Sequence, residues 1–179
     1  LKTVNLSNKA WLTLVRLAVA TIWAYAGIFE KLLNPGFLNP ASTSYVGITV
    51  QYLAEGSPIR GFLYAVVFPH VLLVGELVMV GEVSFAILTF LGLANRLSGT
   101  VAFYTNLIYF LSAYWTGTEE YGINLLLMIF DAFLVINGPG PLSLDWLISR
   151  RSRIMNMSLL WFSIGTILYL SVILFLLFY

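Results

Sequence analysis

The chain has 179 residues, 60% of them hydrophobic and 9% charged, with a formal net charge of +1 and a mean hydropathy of +0.91. A soluble domain carries about 25% charged residues, so this chain cannot face water on every side and reads as an integral membrane protein. It has no cysteine, one histidine, no basic block interleaved with aromatics and no glycine-rich phosphate loop. This excludes disulfides, iron–sulfur ligation, a bis-histidine haem on this chain alone and nucleic-acid binding. No metal, haem or flavin is expected here, so electrons would need a lipid-soluble carrier or a partner subunit.

A membrane-crossing helix needs about 20 mostly apolar residues. The opening stretch LKTVNLSNKA lacks the short apolar core and cleavage site of a secretory signal, so the first long apolar run, near 11–33, is expected to remain as a span. Asn-Pro steps at Asn34 and Asn39 then break the chain. Ser42 or Thr43 can cap a short helix near 42–55, lying at the membrane surface or dipping into the bundle mouth. The second span ends near 93, and Pro69 either starts it or kinks a longer helix that begins near Gly61. Further spans are expected near 97–115, 121–137 and 157–179. The sequence therefore predicts an all-α polytopic membrane protein. A four-helix transmembrane bundle fills 1–147, and a basic linker with a fifth transmembrane helix fills 148–179. Lysine and arginine in the short flanks set orientation. Lys2, Lys9, Arg96, Arg150, Arg151 and Arg153 fall on one side of the lipid bilayer, Lys31 and Arg60 on the other. This predicts a multi-pass cell-membrane protein with its N-terminus in the cytoplasm and its C-terminus outside.

Four ionisable residues lie within these spans away from their ends: Arg16, Glu76, Glu82 and Asp131. A charge at a helix centre costs about 2.5–3.5 kcal/mol, so each should face inward, pair or be neutral. Three acids outnumber one arginine, so at least one carboxyl should be protonated, paired with a flanking base or open to water. Reducing a quinone consumes two protons, so a proton-bearing carboxyl suits a quinone site or a proton path. Glu76 and Glu82 are six residues apart, about 120° around a helix, and should address different neighbours, one toward the outer mouth and one near mid-depth. Plainer roles exist for the others. Arg16 can snorkel to the headgroups, Asp131 can hydrogen-bond Asn106 or Arg16, and His70 beside Pro69 can sit at the interface. Lys31 and Arg60 can anchor the chain there or, flanking the outer opening, attract an anion.

Three stretches together carry a family resemblance. VRLAVATIWAYAGIFEKLLNP sets Arg16, Gly27 and Lys31 at the spacing of the first helix of DoxX/DoxD-type membrane proteins. VGELVMVGEVSFAILTFLGLANRLSG resembles their second helix, and NGPGPLSLDWL resembles the Gly-Pro-Gly…Ser-Leu-Asp signature after their fourth. The likeness covers residues 10–147 and is nearest to DoxD, expected as the large subunit of archaeal thiosulfate:quinone oxidoreductase. It implies oxidation of two thiosulfates to tetrathionate, electron transfer to a membrane quinone, and a small DoxA-like partner. On this reading Lys31, Arg60 and His70 draw in thiosulfate, Glu76 or Glu82 supplies protons to the quinone, and Asp131 with Arg16 forms a polar pair below. The rival expectations are an accessory subunit beside haem–copper quinol oxidase subunits in a respiratory complex, and a small transporter. The family core has four helices, so the fifth departs from it and is free to dock a partner.

Overall fold

The structure, a computed structural model, describes residues 9–150 and 152–179. Its helices are α1 (Ala10–Leu32), α2 (Val46–Gly56), α3 (Arg60–Leu91), α4 (Asn95–Ala113), α5 (Thr118–Asn137), α6 (Leu144–Ser149) and α7 (Ser158–Phe178). No strand occurs among the described residues. α1, α3 and α7 are long and apolar enough to cross a membrane on composition alone. α4 and α5 are nearly as long, at 19 and 20 residues, but carry more polar side chains. These turn inward: Ser98, Thr100, Asn106 and Ser112 on α4 and Asp131 on α5 are buried. The outward faces stay apolar, which satisfies lipid.

α1 packs along α3 and α4 along α5, and contacts between α3 and α4 and between α1 and α5 close a four-helix bundle. Val19, Trp23, Phe85, Ala86, Ala102, Leu127 and Leu134 form its core. α7 lies outside the four against α4, where Gly165 permits the approach: a β-carbon there would stand 2.7 Å from Thr100 Cβ. α2 covers one end of the bundle over a second cluster of Ala54, Leu63 and Val67. α6 marks the opposite end.

Two helices are irregular. α1 widens into π-helical turns over Tyr25–Leu32. α3 does the same over Leu63–Val67, then tightens to a 3₁₀ turn over Phe68–His70. Pro69 has no N–H to give to the preceding turn. It therefore interrupts a longer helix instead of starting one.

The α6 end is tied by the segment NGPGPLSLD. Gly92, at φ 60°, closes α3 in the left-handed conformation. Asp145 Oδ1 and Oδ2 then accept the Ala94 and Asn95 N–H groups, both at 2.8 Å, capping the start of α4. Burial pushes the Asp145 carboxyl up, while those two N–H groups and the Arg96 and Arg16 guanidiniums pull it down. Arg96 donates to the carbonyls of Val135 and Ile136, the last turn of α5. Arg16 Nη2 donates to the Leu142 carbonyl at 2.9 Å, and Thr13 Oγ1 to that of Pro141 at 2.6 Å. The Asp145 and Arg96 bonds serve helix-end groups that have no partner within their own helix, and the Arg16 and Thr13 bonds hold the loop between α5 and α6 against α1.

Candidate functional site

Toward the α2 end, a cavity of about 780 Å³ opens between α2, α3, α4 and α7. Most of its wall is apolar: Val50 and Leu53 of α2, Leu77 and Phe85 of α3, Ile108 of α4, and Val172 and Leu176 of α7. Lys31, Glu82 and Tyr109 stand together on this wall. Lys31 Nζ lies 2.7 Å from Glu82 Oε2, and the Tyr109 hydroxyl donates to Glu82 Oε1 at 2.8 Å. Glu82 is only 1% exposed, and Lys31 16%. A buried carboxylate is tolerable when paired and hydrogen-bonded, and this one is both.

Backbone geometry brings the pair together. A β-carbon on Gly27 would sit 2.7 Å from Val83 N and 2.9 Å from Glu82 Cβ, so only glycine lets α3 lie this close to α1. Lys31 follows one turn later, within the π-helical stretch, and its Nζ also donates to the Ala26 carbonyl at 3.3 Å. Wide turns of this kind occur frequently at functional sites.

The other expected site residues are dispersed. Glu76 is exposed and does not border the cavity. The 120° separation sends it outward where Glu82 goes inward. Arg60 is exposed, with its guanidinium 5.4 Å from the Tyr64 ring centroid. His70 packs edge-on against Tyr179 at 5.6 Å. Neither borders the cavity. The expected pair of Asp131 with Arg16 does not form. Asp131 Oδ2 accepts from Asn106 Nδ2 at 2.8 Å, while Arg16 is buried at the α6 end and serves the Leu142 carbonyl. α1 and α5 run in opposite senses, so the two residues lie at similar depth, each six positions from the α6 end of its helix, but Arg16 turns to the α6-end loop and Asp131 to α4. Tyr109 was missed because nothing in sequence separates it from nine other tyrosines. Its three-residue offset from Asn106, which bonds a buried acid, is the signal that could have found it.

The charge balance of the cavity matters for its occupant. Among the described residues Glu30, Glu82 and Glu120 border it against Lys31 alone, and Lys31 is already paired.

A family model described as "TQO small subunit DoxD" matches residues 11–174. The chain belongs to the DoxD family. TQO denotes thiosulfate:quinone oxidoreductase, so this DoxD-family chain is related to a membrane subunit of such a complex, and the family implies that a quinone is involved. The description makes DoxD the small subunit, which corrects the expectation of the large one. The match also runs beyond residue 147 to take in most of α7, which places that helix within the DoxD pattern. No solved structure matches the chain.

Proposed function

We propose that this chain supplies the quinone-reducing site of a thiosulfate:quinone oxidoreductase, with the quinone ring held in the cavity beside Glu82, Tyr109 and Lys31. The observation that carries the reading is this polar trio on the wall of an otherwise apolar hollow. Small-molecule pockets run to about 300–1,000 Å³ and pair apolar walls with a few placed polar groups. The cavity, at about 780 Å³, is of that kind and size. A bound quinone supplies the two-electron acceptor. When Glu82 is protonated and donates to the Tyr109 oxygen, the Tyr109 hydroxyl is released to donate to a quinone oxygen, and the Lys31 ammonium supplies a cation for developing negative charge. Glu82 orients both and can pass protons to them.

Thiosulfate, a dianion, is disfavoured in a cavity bordered by three carboxyls and one paired lysine. Its oxidation to tetrathionate is assigned to a surface shared with a DoxA-like partner. Arg60 is exposed near the α2 end and suits such a surface.

The test is thiosulfate-dependent reduction of a short-chain quinone by the purified protein with its co-purifying partners. Glu82→Gln should lower the rate by about 100-fold or more, the scale of lost general acid catalysis, while Glu76→Gln should leave it unchanged. Full activity in Glu82→Gln would sink the assignment.

A further inference from the structure

We propose that α4 carries a proton path from the α6 end of the bundle to Glu82, with Asp131 as its relay. The path's purpose rests on the quinone-reducing reading; its geometry does not. Joining two thiosulfates through a new S–S bond releases two electrons and no proton. Converting a quinone to a quinol takes up those two electrons and two protons, one on each ring oxygen. The protons must therefore come from water.

Two hollows lie toward opposite ends of α4. One is the quinone cavity. The other is a cleft of about 290 Å³ at the α6 end, bordered by Arg96, Asn137 and Asp145. Between them Asn95, Ser98, Ala102, Asn106 and Tyr109 follow at intervals of three and four residues, which puts them on one face of the helix. The first four are buried. Asn95 N–H is bound to Asp145 at the cleft, Asn106 to Asp131 one turn short of the cavity, and Tyr109 to Glu82 at the cavity, each at 2.8 Å.

Three side-chain oxygens on this face, Asn95 Oδ1, Ser98 Oγ and Asn106 Oδ1, are buried with no hydrogen-bond partner among the described residues. Leaving such an atom bare costs about 1–3 kcal/mol. Buried water answers that cost elsewhere, and water between these oxygens would conduct protons. From Asn95 to Tyr109 the helix rises about 21 Å, and the longest gap, Ser98 to Asn106, is about 12 Å. Asp131 stands beside that gap: its carbonyl oxygen is 3.6 Å from where a Gly99 β-carbon would be, and its carboxyl reaches Asn106. A carboxyl whose partner is an amide, not a cation, can take a proton from one side and release it to the other.

The experiment uses the full chain with its partners in lipid vesicles and reads the infrared carboxylic-acid C=O band that Asp131→Asn removes. On transfer to D₂O this band should shift promptly. Ser98→Val should slow the shift by about tenfold or more, and the equally shaped Ser98→Thr should restore it; tenfold corresponds to about 1.4 kcal/mol of barrier. Absence of an Asp131 band, or equal exchange in Ser98→Val and the parent, overturns the path. Quinone reduction by thiosulfate is measured on the same vesicles, where Asp131→Asn and Ser98→Val should each lose about tenfold or more. Unchanged rates in both would also overturn it. Ser98-dependent exchange in a preparation whose parent chain reduces no quinone would support the path and sink the proposed function instead.

Discussion

Glu82 is 1% exposed and its counter-ion 16%, so the two ends of this ion pair see different dielectrics. Removing the cation strands a charge in the protein interior, whereas removing the acid leaves a lysine that still reaches solvent. Breaking a buried pair costs about 3–5 kcal/mol. Lys31→Met should therefore destabilise by about 3 kcal/mol, and Glu82→Gln by less. The double variant Lys31→Met/Glu82→Gln should be more stable than Lys31→Met alone. Thermal unfolding of all four proteins in detergent reads this cycle, and additive losses would show that the two side chains do not interact. Gly27 acts one step earlier. A methyl group there meets the Val83 backbone and cannot be accommodated by a rotamer change. Gly27→Ala should cost about 1–3 kcal/mol of overpacking. It should also slow quinone reduction, because Glu82 shifts with its backbone.

At the scale of elements, the α6-end loop and α7 do work that their sequences leave unstated. The Gly-Pro-Gly…Ser-Leu-Asp stretch stands in the sequence as a family signature, and its groups tie the bundle end: Asp145 caps α4, and the loop carbonyls receive Thr13 and Arg16. Asp145→Ala should lower stability by about 1–2 kcal/mol, the scale of a lost N-cap with its helix-dipole contribution, measured as a shift in detergent-solubilised unfolding. α7 reads in sequence as an extra helix free to dock a partner, yet Tyr169, Val172 and Leu176 wall the cavity. Gly165→Leu should push α7 off Thr100 and weaken quinone binding while the four-helix core stays folded. Unchanged quinone affinity would remove α7 from the site. The long helices and the divergence of Glu76 from Glu82 were legible because hydropathy and the 3.6-residue period report them directly; α6 was not, and α2 begins at Val46 behind Tyr45 instead of under a Ser42 or Thr43 cap. The wide turns of α1 and α3 were not legible, because π-turns leave no composition mark. The sequence offers Asn106 and Arg16 as candidate partners for Asp131, and Asn106 holds it; the partners of Arg16 and Tyr109 were not legible. Which polar groups meet depends on depth and on helix neighbours, and a single chain's periodicity gives only direction around each helix.

For the whole molecule, orientation decides what the chemistry does to the membrane. Among the described residues Lys9, Arg96, Arg150 and Arg153 gather at the α6 end, while Lys31 and Arg60 lie toward the α2 end with Glu119 and Glu120. Positive charge favours the cytoplasmic side, so the α6 end should face inward and the quinone cavity should lie toward the outer leaflet. The chain has no cysteine, which makes this directly measurable with single substitutions. Ser152→Cys should react with a membrane-impermeant maleimide only after cells are opened, and Thr118→Cys should react in intact cells. That orientation, joined to the α4 path, has an electrical consequence. Protons drawn from the cytoplasm would cross most of the bilayer to reach Glu82, while thiosulfate gives up its electrons outside. Each turnover would then carry positive charge outward. Thiosulfate added to sealed right-side-out vesicles with quinone should therefore make the interior negative, read with a potential-sensitive dye. Asp131→Asn should abolish that signal, with turnover lowered by about tenfold or more. An active vesicle without any potential would mean that the protons enter from the cavity side, and would leave α4's buried polar face with a structural role alone.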